Sequence, residues 1–431
     1  MDAHDQQRGA GLVPQYETEV MTPPASRADC EAWDARDPLA RIRCEFRLEP
    51  GVVYLDGNSL GALTHNSVAR ARAMIEDEWG RDLIRSWNVH GWFDLPQRLG
   101  AKIAPFIGAA AEEVLVADST SVNLFKLASA AMMTRGTRHR IVTESGNFPT
   151  DIYVLQGLAA LSGGAIEVLA VPRSEVAARI DESTFLVVLT HVHYKTAELF
   201  DLPAITRRAH AQGARILWDL SHSVGALAVD LGAVRADFAV GCTYKYLNGG
   251  PGSPAFLYVR RDLQDAFRPG LAAWMGHAAP FEFTDDYEPA PGIARYRSGT
   301  PSLIAFAALE GALGIWDGVD LRDVRRKSEA LTELFIAGVE ALTASGLILA
   351  SPREAVRRGS HVALTHPRGY ELIQALIARG VIGDFRAPDV VRFGFAPLYL
   401  RYVDVWEAVT IVGEVLAALD RTERARRSAV T

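Results

Sequence analysis

Residues 236–254 read ADFAVGCTYKYLNGGPGSP, and this stretch decides the fold. Its first part, 236–242, is an apolar run of strand length, followed at once by Thr243, Tyr244 and Lys245. The turn formers Gly249, Gly250, Pro251 and Gly252 then close the segment. A strand that runs out into a lysine and a glycine-rich loop carries its chemistry at the carboxyl end, where open α/β sheets hold ligands. Upstream, the apolar run Ile216, Leu217, Trp218 ends in the same manner, in Asp219, Leu220, Ser221 and His222.

Working outward, short apolar runs recur at 113–117, 140–143, 166–171, 185–190, 216–219, 238–242 and 256–259, with helical patterns between them. Such alternation predicts an α/β fold, a mostly parallel sheet covered by helices. The polar residues of interest all fall just past a strand: 118–121, 148–151, 191–194, 219–222 and 243–245. A helix over 205–212, closed by Gly213, leads into the Asp219 strand. Beyond Ser302 the pattern changes to helices at 303–316 and 321–342, strands near 347–350 and 361–365, a helix at 369–378 and a last helix at 405–419. The expected organisation is a flexible tail over 1–20 and a segment over 21–64 that packs with the small domain. A large domain over 65–302 and a smaller C-terminal α+β domain over 303–431 complete it.

A chain of 431 residues exceeds what one hydrophobic core usually serves, which agrees with two domains. Its net charge of −7 gives no reason to expect a nucleic acid partner, whose phosphates want a basic face. Cys30, Cys44 and Cys242 are too few and too scattered for a disulfide framework or a zinc cluster. With no apolar leader at Met1–Tyr16 and no uncharged span of membrane length, a soluble cytoplasmic protein is expected.

A lysine at one strand end, with an acid and a histidine at the end of another, suits pyridoxal 5'-phosphate (PLP). The Lys245 amine forms a Schiff base with the cofactor aldehyde, and the Asp219 carboxylate keeps the pyridine nitrogen protonated so that the ring accepts electrons. Thr120 and Ser121 open a helical run after Asp118 and Ser119, and a helix start with free N–H groups and hydroxyls seats a phosphate. Each residue also has a plainer reading. A lysine after a strand is usually a surface charge, Asp219 suits a helix cap, His222 a satisfied core histidine, and the Gly249 loop a tight turn. Their joint presence favours the cofactor. His191 and His193 share a strand face and could begin a metal site, but no third ligand has suitable spacing, so no metal is expected. Trp87, His90 and Trp92 form an aromatic patch that reads either as core or as a wall for a ligand's arene. Arg392 stands among apolar residues and needs a partner; a ligand carboxylate held bidentately is a good one.

Seven stretches taken together resemble kynureninase, a PLP enzyme of the aspartate aminotransferase fold and class V aminotransferase-like. They are YLDGNSLGAL from Tyr54, DSTSVNLFKL from Asp118, GNFPTD from Gly146, HVHYKTAELFDL from His191, LWDLSHSVGALAVDL from Leu217, CTYKYLNGGPGSPAFLYV from Cys242 and VVRFGFAPLY from Val390. The resemblance implies that Lys245 carries the cofactor and Asp219 pairs with its ring nitrogen. It also implies that Phe148 stacks on the ring with Asp151 close by, and that Thr120, Ser121 and Tyr244 bind the phosphate. His222 would lie near the ring hydroxyl and Thr190 would line the pocket. Trp274 and Thr300 would reach the cofactor of the neighbouring subunit in a homodimer, and Arg392 would hold the substrate α-carboxylate. The pair Gly299-Thr300 departs from the Ser-Asn of animal members and favours kynurenine over its 3-hydroxy derivative. The implied reaction hydrolyses L-kynurenine to anthranilate and L-alanine, with Tyr244 expected to assist its proton transfers. The competitors are an aminotransferase or a cysteine desulfurase on the same fold, and a non-catalytic binding module. A desulfurase needs a nucleophilic cysteine well after the lysine, and none follows Cys242. A degenerate module should have lost the lysine or its acid, and both remain.

Overall fold

The computed structural model describes residues 23–342 and 346–428, with backbone alone over 422–428. The tail expected over 1–20 lies outside the described residues. The large sheet has the order Val114–Val116, Phe256–Val259, Phe238–Gly241, Arg215–Asp219, Thr184–Thr190, Arg140–Glu144, Glu167–Val171. The last five run parallel, while Phe256–Val259 is antiparallel to both of its neighbours. Val114–Val116 thereby regains the common direction, so six carboxyl ends open on one edge. Every position of Thr184–Thr190 is buried, as a parallel strand covered on both faces requires of the run TFLVVLT.

Local signals start the helices that point back from that edge. The Ser119 hydroxyl caps Thr120–Met133 by accepting the Val122 N–H, and Pro149 sits in the first turn of Pro149–Leu161. The helix expected at 205–212 spans Leu202–Ala211 instead. It starts earlier because Asp201 accepts the Ala204 N–H at 2.8 Å and Pro203 falls in the first turn, where no N–H is needed.

The C-terminal sheet is antiparallel and has the order Asp384–Arg386, Val390–Gly394, His361–Thr365, Ile348–Leu349. The sequence reading contains only the last two of these strands. Asp384, Arg386 and Arg392 interrupt the apolar pattern of the others, and Asp384 pairs with Arg386 along its own strand and with Arg392 on the next. Val53–Tyr54 pairs in parallel with Val381–Ile382, which sews the N-terminal segment to the C-terminal half. His65–Ala73 packs on Leu303–Gly314, on either side of the boundary drawn at 302/303. The last helix, Tyr402–Ser428, also starts earlier than expected. Its first N–H groups, of Tyr402 and Val403, bond the Asp34 carboxylate at 2.7 and 3.1 Å, a cap supplied from the other end of the chain. No helix among the described residues is long and apolar enough to cross a membrane.

Candidate active site

Asp219 and Thr190 are the last residues of adjacent parallel strands, and Lys245 follows the next strand over. Asp219 Oδ1 accepts the Ser221 N–H at 2.8 Å, and Ser221 Oγ accepts the Cys242 N–H at 3.1 Å, which ties the two strand-end loops together. Lys245 Nζ lies 3.1 Å from His222 Nε2. On the other side, Thr190 Oγ1 donates to Asn147 Oδ1 at 2.5 Å and lies 3.1 Å from Asp151 Oδ2. Asn147 Nδ2 donates to the same Asp151 oxygen at 3.2 Å. Asp151, Thr190, Asp219 and His222 are all buried, and Asp151 Oδ1 has no hydrogen-bond partner among the described residues.

Burial governs the electrostatics of this cluster. It holds the Asp219 carboxyl above its ordinary value, against the Ser221 hydrogen bonds and the Lys245 charge. Burial and then the charge of Asp219 raise Asp151 well above its own. Burial and the nearby Lys245 push His222 well below the usual imidazole range, so it is neutral at pH 7. Two buried carboxyl groups therefore face one lysine, and one of them, Asp151, keeps an oxygen with no donor among the described residues.

Thr120 and Ser121 stand half-buried in the first turn of their helix, at the same edge. Asp118 precedes them in a left-handed conformation, with φ of 44°. Its carboxylate is held by the fully buried Lys126, which also donates to Tyr296 O at 2.6 Å, and by Ser298 Oγ at 2.9 Å. Removing one partner of such a buried pair costs about 3–5 kcal/mol, so the pair fixes the loop that leads into the helix. Lys126 is absent from the sequence reading; its signal was a lysine in the middle of an otherwise apolar helix.

Tyr244 precedes Lys245, whose Nζ lies 5.8 Å from the Tyr244 ring centre. The Cys242 sulfur and then burial hold the Tyr244 phenol above its ordinary value, so it keeps its proton at pH 7. Phe148 is 43% exposed and meets Tyr194 edge to face at 5.3 Å. Arg392 differs from expectation. Its Nε donates to Asp384 Oδ1 at 2.7 Å and its Nη2 to Asp384 Oδ2, so the fork expected for a ligand carboxylate already grips Asp384. Nη2 also reaches Ser59 Oγ at 3.1 Å, and Nη1 reaches Tyr194 O.

Trp87 meets Trp92 edge to face at 5.8 Å, and His90 Nε2 bonds Asp82 Oδ2 at 2.8 Å. These partners belong to the local segment and not to the Lys245 cluster. Trp274 is 39% exposed and meets Phe281 edge to face at 6.0 Å, and Thr300 is also exposed. His191 bonds Ser223 Oγ at 2.9 Å and His193 bonds Gly146 O at 3.1 Å, and burial pushes them down to about 3 and about 4.

The N-terminal loop 56–61 reaches the site as well, and sequence reasoning assigned it no role. The Gly61 N–H donates to Tyr244 O at 2.7 Å, and a Cβ on Gly61 would overlap Lys245 O, so only glycine fits there. Asp56 lies close to Asp384 behind Arg392. Burial and the Asp384 charge raise its carboxyl to about 7, while Arg392 keeps Asp384 ionised below its ordinary value.

A family model described as "Kynureninase C-terminal domain" matches residues 324–412. A kynureninase from Pseudomonas fluorescens is 50% identical over 398 residues, covering 91% of this chain and 95% of that one. The chain belongs to the kynureninase family. A second kynureninase, from Burkholderia mallei strain SAVP1, is 48% identical over 94% of this chain and 100% of its own. Among solved structures, a cysteine desulfurase from Thermococcus onnurineus NA1 superposes with a TM-score of 0.75 at 18% identity, covering 88% of this chain and 98% of that one. A C-DES variant with glycine covalently linked to its PLP cofactor reaches 0.74 at 17% identity, over 86% and 98%. At such identities these two establish the fold that the family shares with them, the PLP-dependent transferase fold of the aspartate aminotransferase type.

Proposed function

We propose that this kynureninase-family chain hydrolyses L-kynurenine to anthranilate and L-alanine with PLP as its cofactor. The observation that carries the reading is the 50% identity to the P. fluorescens enzyme over nearly the whole of both chains. The residues present fit the cofactor. Lys245 offers an amine, and Asp219 is a buried carboxyl group held above its ordinary value by that burial. Asp151 Oδ1 is unpartnered, and the Thr120–Met133 helix presents free N–H groups and two hydroxyls at its start. A desulfurase reading lacks its nucleophile, since Cys242 is buried and its thiol is raised by that burial.

Bound PLP supplies an electron sink for the bonds at the substrate Cα. Lys245 would hold the cofactor and, once displaced by the substrate amine, take the Cα proton, with neutral His222 beside it accepting a hydrogen bond rather than competing as a cation. Asp219, at its strand end beside Lys245, would hold a proton on the ring nitrogen. Thr120, Ser121 and Tyr244 would bind the phosphate, Thr190 and Asp151 would line the ring face, and Phe148 would turn from Tyr194 onto it. Water would add at the γ-carbonyl, the Cβ–Cγ bond would break, and Tyr244, which keeps its phenolic proton, would deliver one to the alanine fragment.

A homodimer is part of the proposal. Trp274, Phe281 and Phe283 form an apolar strip of edge-to-face rings with exposures of 39, 61 and 75%, and Ile84 and Val89 are also largely exposed. Exposed apolar surface of this kind suits a partner subunit, which would bring Trp274 and Thr300 to the neighbouring site. The purified protein, loaded with PLP and given kynurenine, 3-hydroxykynurenine and ring-substituted analogues, should release anthranilate, followed by its fluorescence, fastest from kynurenine. Cofactor absorbance that confirms loading without any aryl product would reject the substrate and leave the cofactor standing.

A further inference from the structure

His361 is fully buried, and neither of its ring nitrogens has a hydrogen-bond partner among the described residues. Interior polar groups are rarely left so, because an unsatisfied group costs on the order of 1–3 kcal/mol. Its ring lies 5.5 Å from that of His222, which touches Lys245. It opens the His361–Thr365 strand opposite Gly394, and two residues along, Ala363 is opposite Arg392. Opposed residues share a face and alternate residues repeat it, so His361 and Arg392 are diagonal neighbours on one face of the sheet.

Arg392 cannot complete the grip on a carboxylate by itself. A guanidinium has five N–H donors. Two fork Asp384, one meets Ser59 and one meets Tyr194 O, which leaves one for a ligand. We propose that His361 is a substrate-binding residue whose ring N–H meets the α-carboxylate of the amino acid substrate beside the remaining N–H of Arg392. The inference rests on the kynureninase reading and names a second contact for its substrate. Burial and the Arg392 charge keep the His361 ring neutral, so it donates through one nitrogen and leaves the other to accept. A neutral donor adds recognition of the carboxylate without placing a second cation beside Arg392.

The test compares unaltered holoenzyme with His361→Phe and His361→Gln. The probes are L-kynurenine and kynuramine, the same molecule without its carboxylate, with binding read from cofactor absorbance. KM and kcat for L-kynurenine and the PLP affinity of the apo chain are measured alongside. The Phe form should bind L-kynurenine about 10–100-fold more weakly, the worth of one charge-assisted hydrogen bond. Kynuramine binding, PLP affinity and kcat should not change, and Gln, which keeps an N–H, should restore most of the loss. Equal weakening toward both probes, a fall in kcat at constant KM, or a loss of PLP affinity would overturn the proposal. If the Phe form fails to fold, His361→Met, flexible and without an N–H, is read in the same way. Unaltered enzyme that loads PLP but binds neither probe would defeat the kynureninase reading itself, a result distinct from any of these.

Discussion

The wall that carries Lys245 and the wall that carries Arg392 differ in how their parts come together. Asp219 and Thr190 end, and Asp151 and Lys245 follow, four parallel strands of one sheet, so strand order alone collects them. Arg392, Asp384, Ser59 and His361 come from an antiparallel sheet and an N-terminal loop, joined by an ion pair and by strand pairings over long separations. The first wall is organised by topology, and burial holds both of its carboxyl groups above their ordinary values. The second is organised by pairing, with its arginine nearly saturated. A site divided in this way suits cofactor chemistry on one side and recognition of an anionic group on the other.

The division can be broken most severely at Lys245. Lys245→Ala should lower kcat for L-kynurenine by about 10³-fold or more, as expected when a covalent anchor and proton acceptor are lost together. A smaller loss, measured by anthranilate release, would remove it from the chemistry. On the opposite wall, Asp384→Asn frees one side of the Arg392 fork and unpairs a buried charge. It should lower the thermal midpoint by an amount equivalent to roughly 3 kcal/mol and change KM more than kcat. A change confined to kcat would erase the distinction between the walls.

Tyr244→Phe should slow turnover by about tenfold while KM stays near its unaltered value, since it removes one proton donor and little surface. Unchanged turnover would remove Tyr244 from the proton transfers. The smallest effect concerns Asp56, whose carboxyl rises from 3.8 to about 7 on folding. A raised acid binds its proton more tightly in the folded chain, so its stabilisation is complete below about pH 4 and is lost as pH climbs through 7. The apo Asp56→Asn protein should therefore gain thermal midpoint relative to the unaltered protein between pH 5 and pH 8. A constant difference over that interval would mean that Asp56 does not hold a proton in the fold.

Legibility in the sequence followed the same division. Lys245, Asp219 and Thr190 could be placed because period and turn residues mark strand ends without knowledge of what lies beside them. The Asp384–Arg386 and Val390–Gly394 strands could not be placed, because their charges look like loop residues until Asp384 and Arg392 are seen to face each other. Nothing local announces that Asp34 caps the last helix, or that His361 arrives unbonded on the face that holds Arg392. Arg392 was half legible for a related reason: its need for a partner could be read, but Asp384 as that partner could not.

The bond from Gly61 to Tyr244 also ties the loop beside Lys245 to a segment far from it in sequence. The loop next to the anchoring lysine is braced by a segment that precedes the whole parallel sheet and is itself paired to Val381–Ile382. A side chain at Gly61 would therefore be felt at Lys245 without touching its amine, because the added Cβ would meet the Lys245 carbonyl.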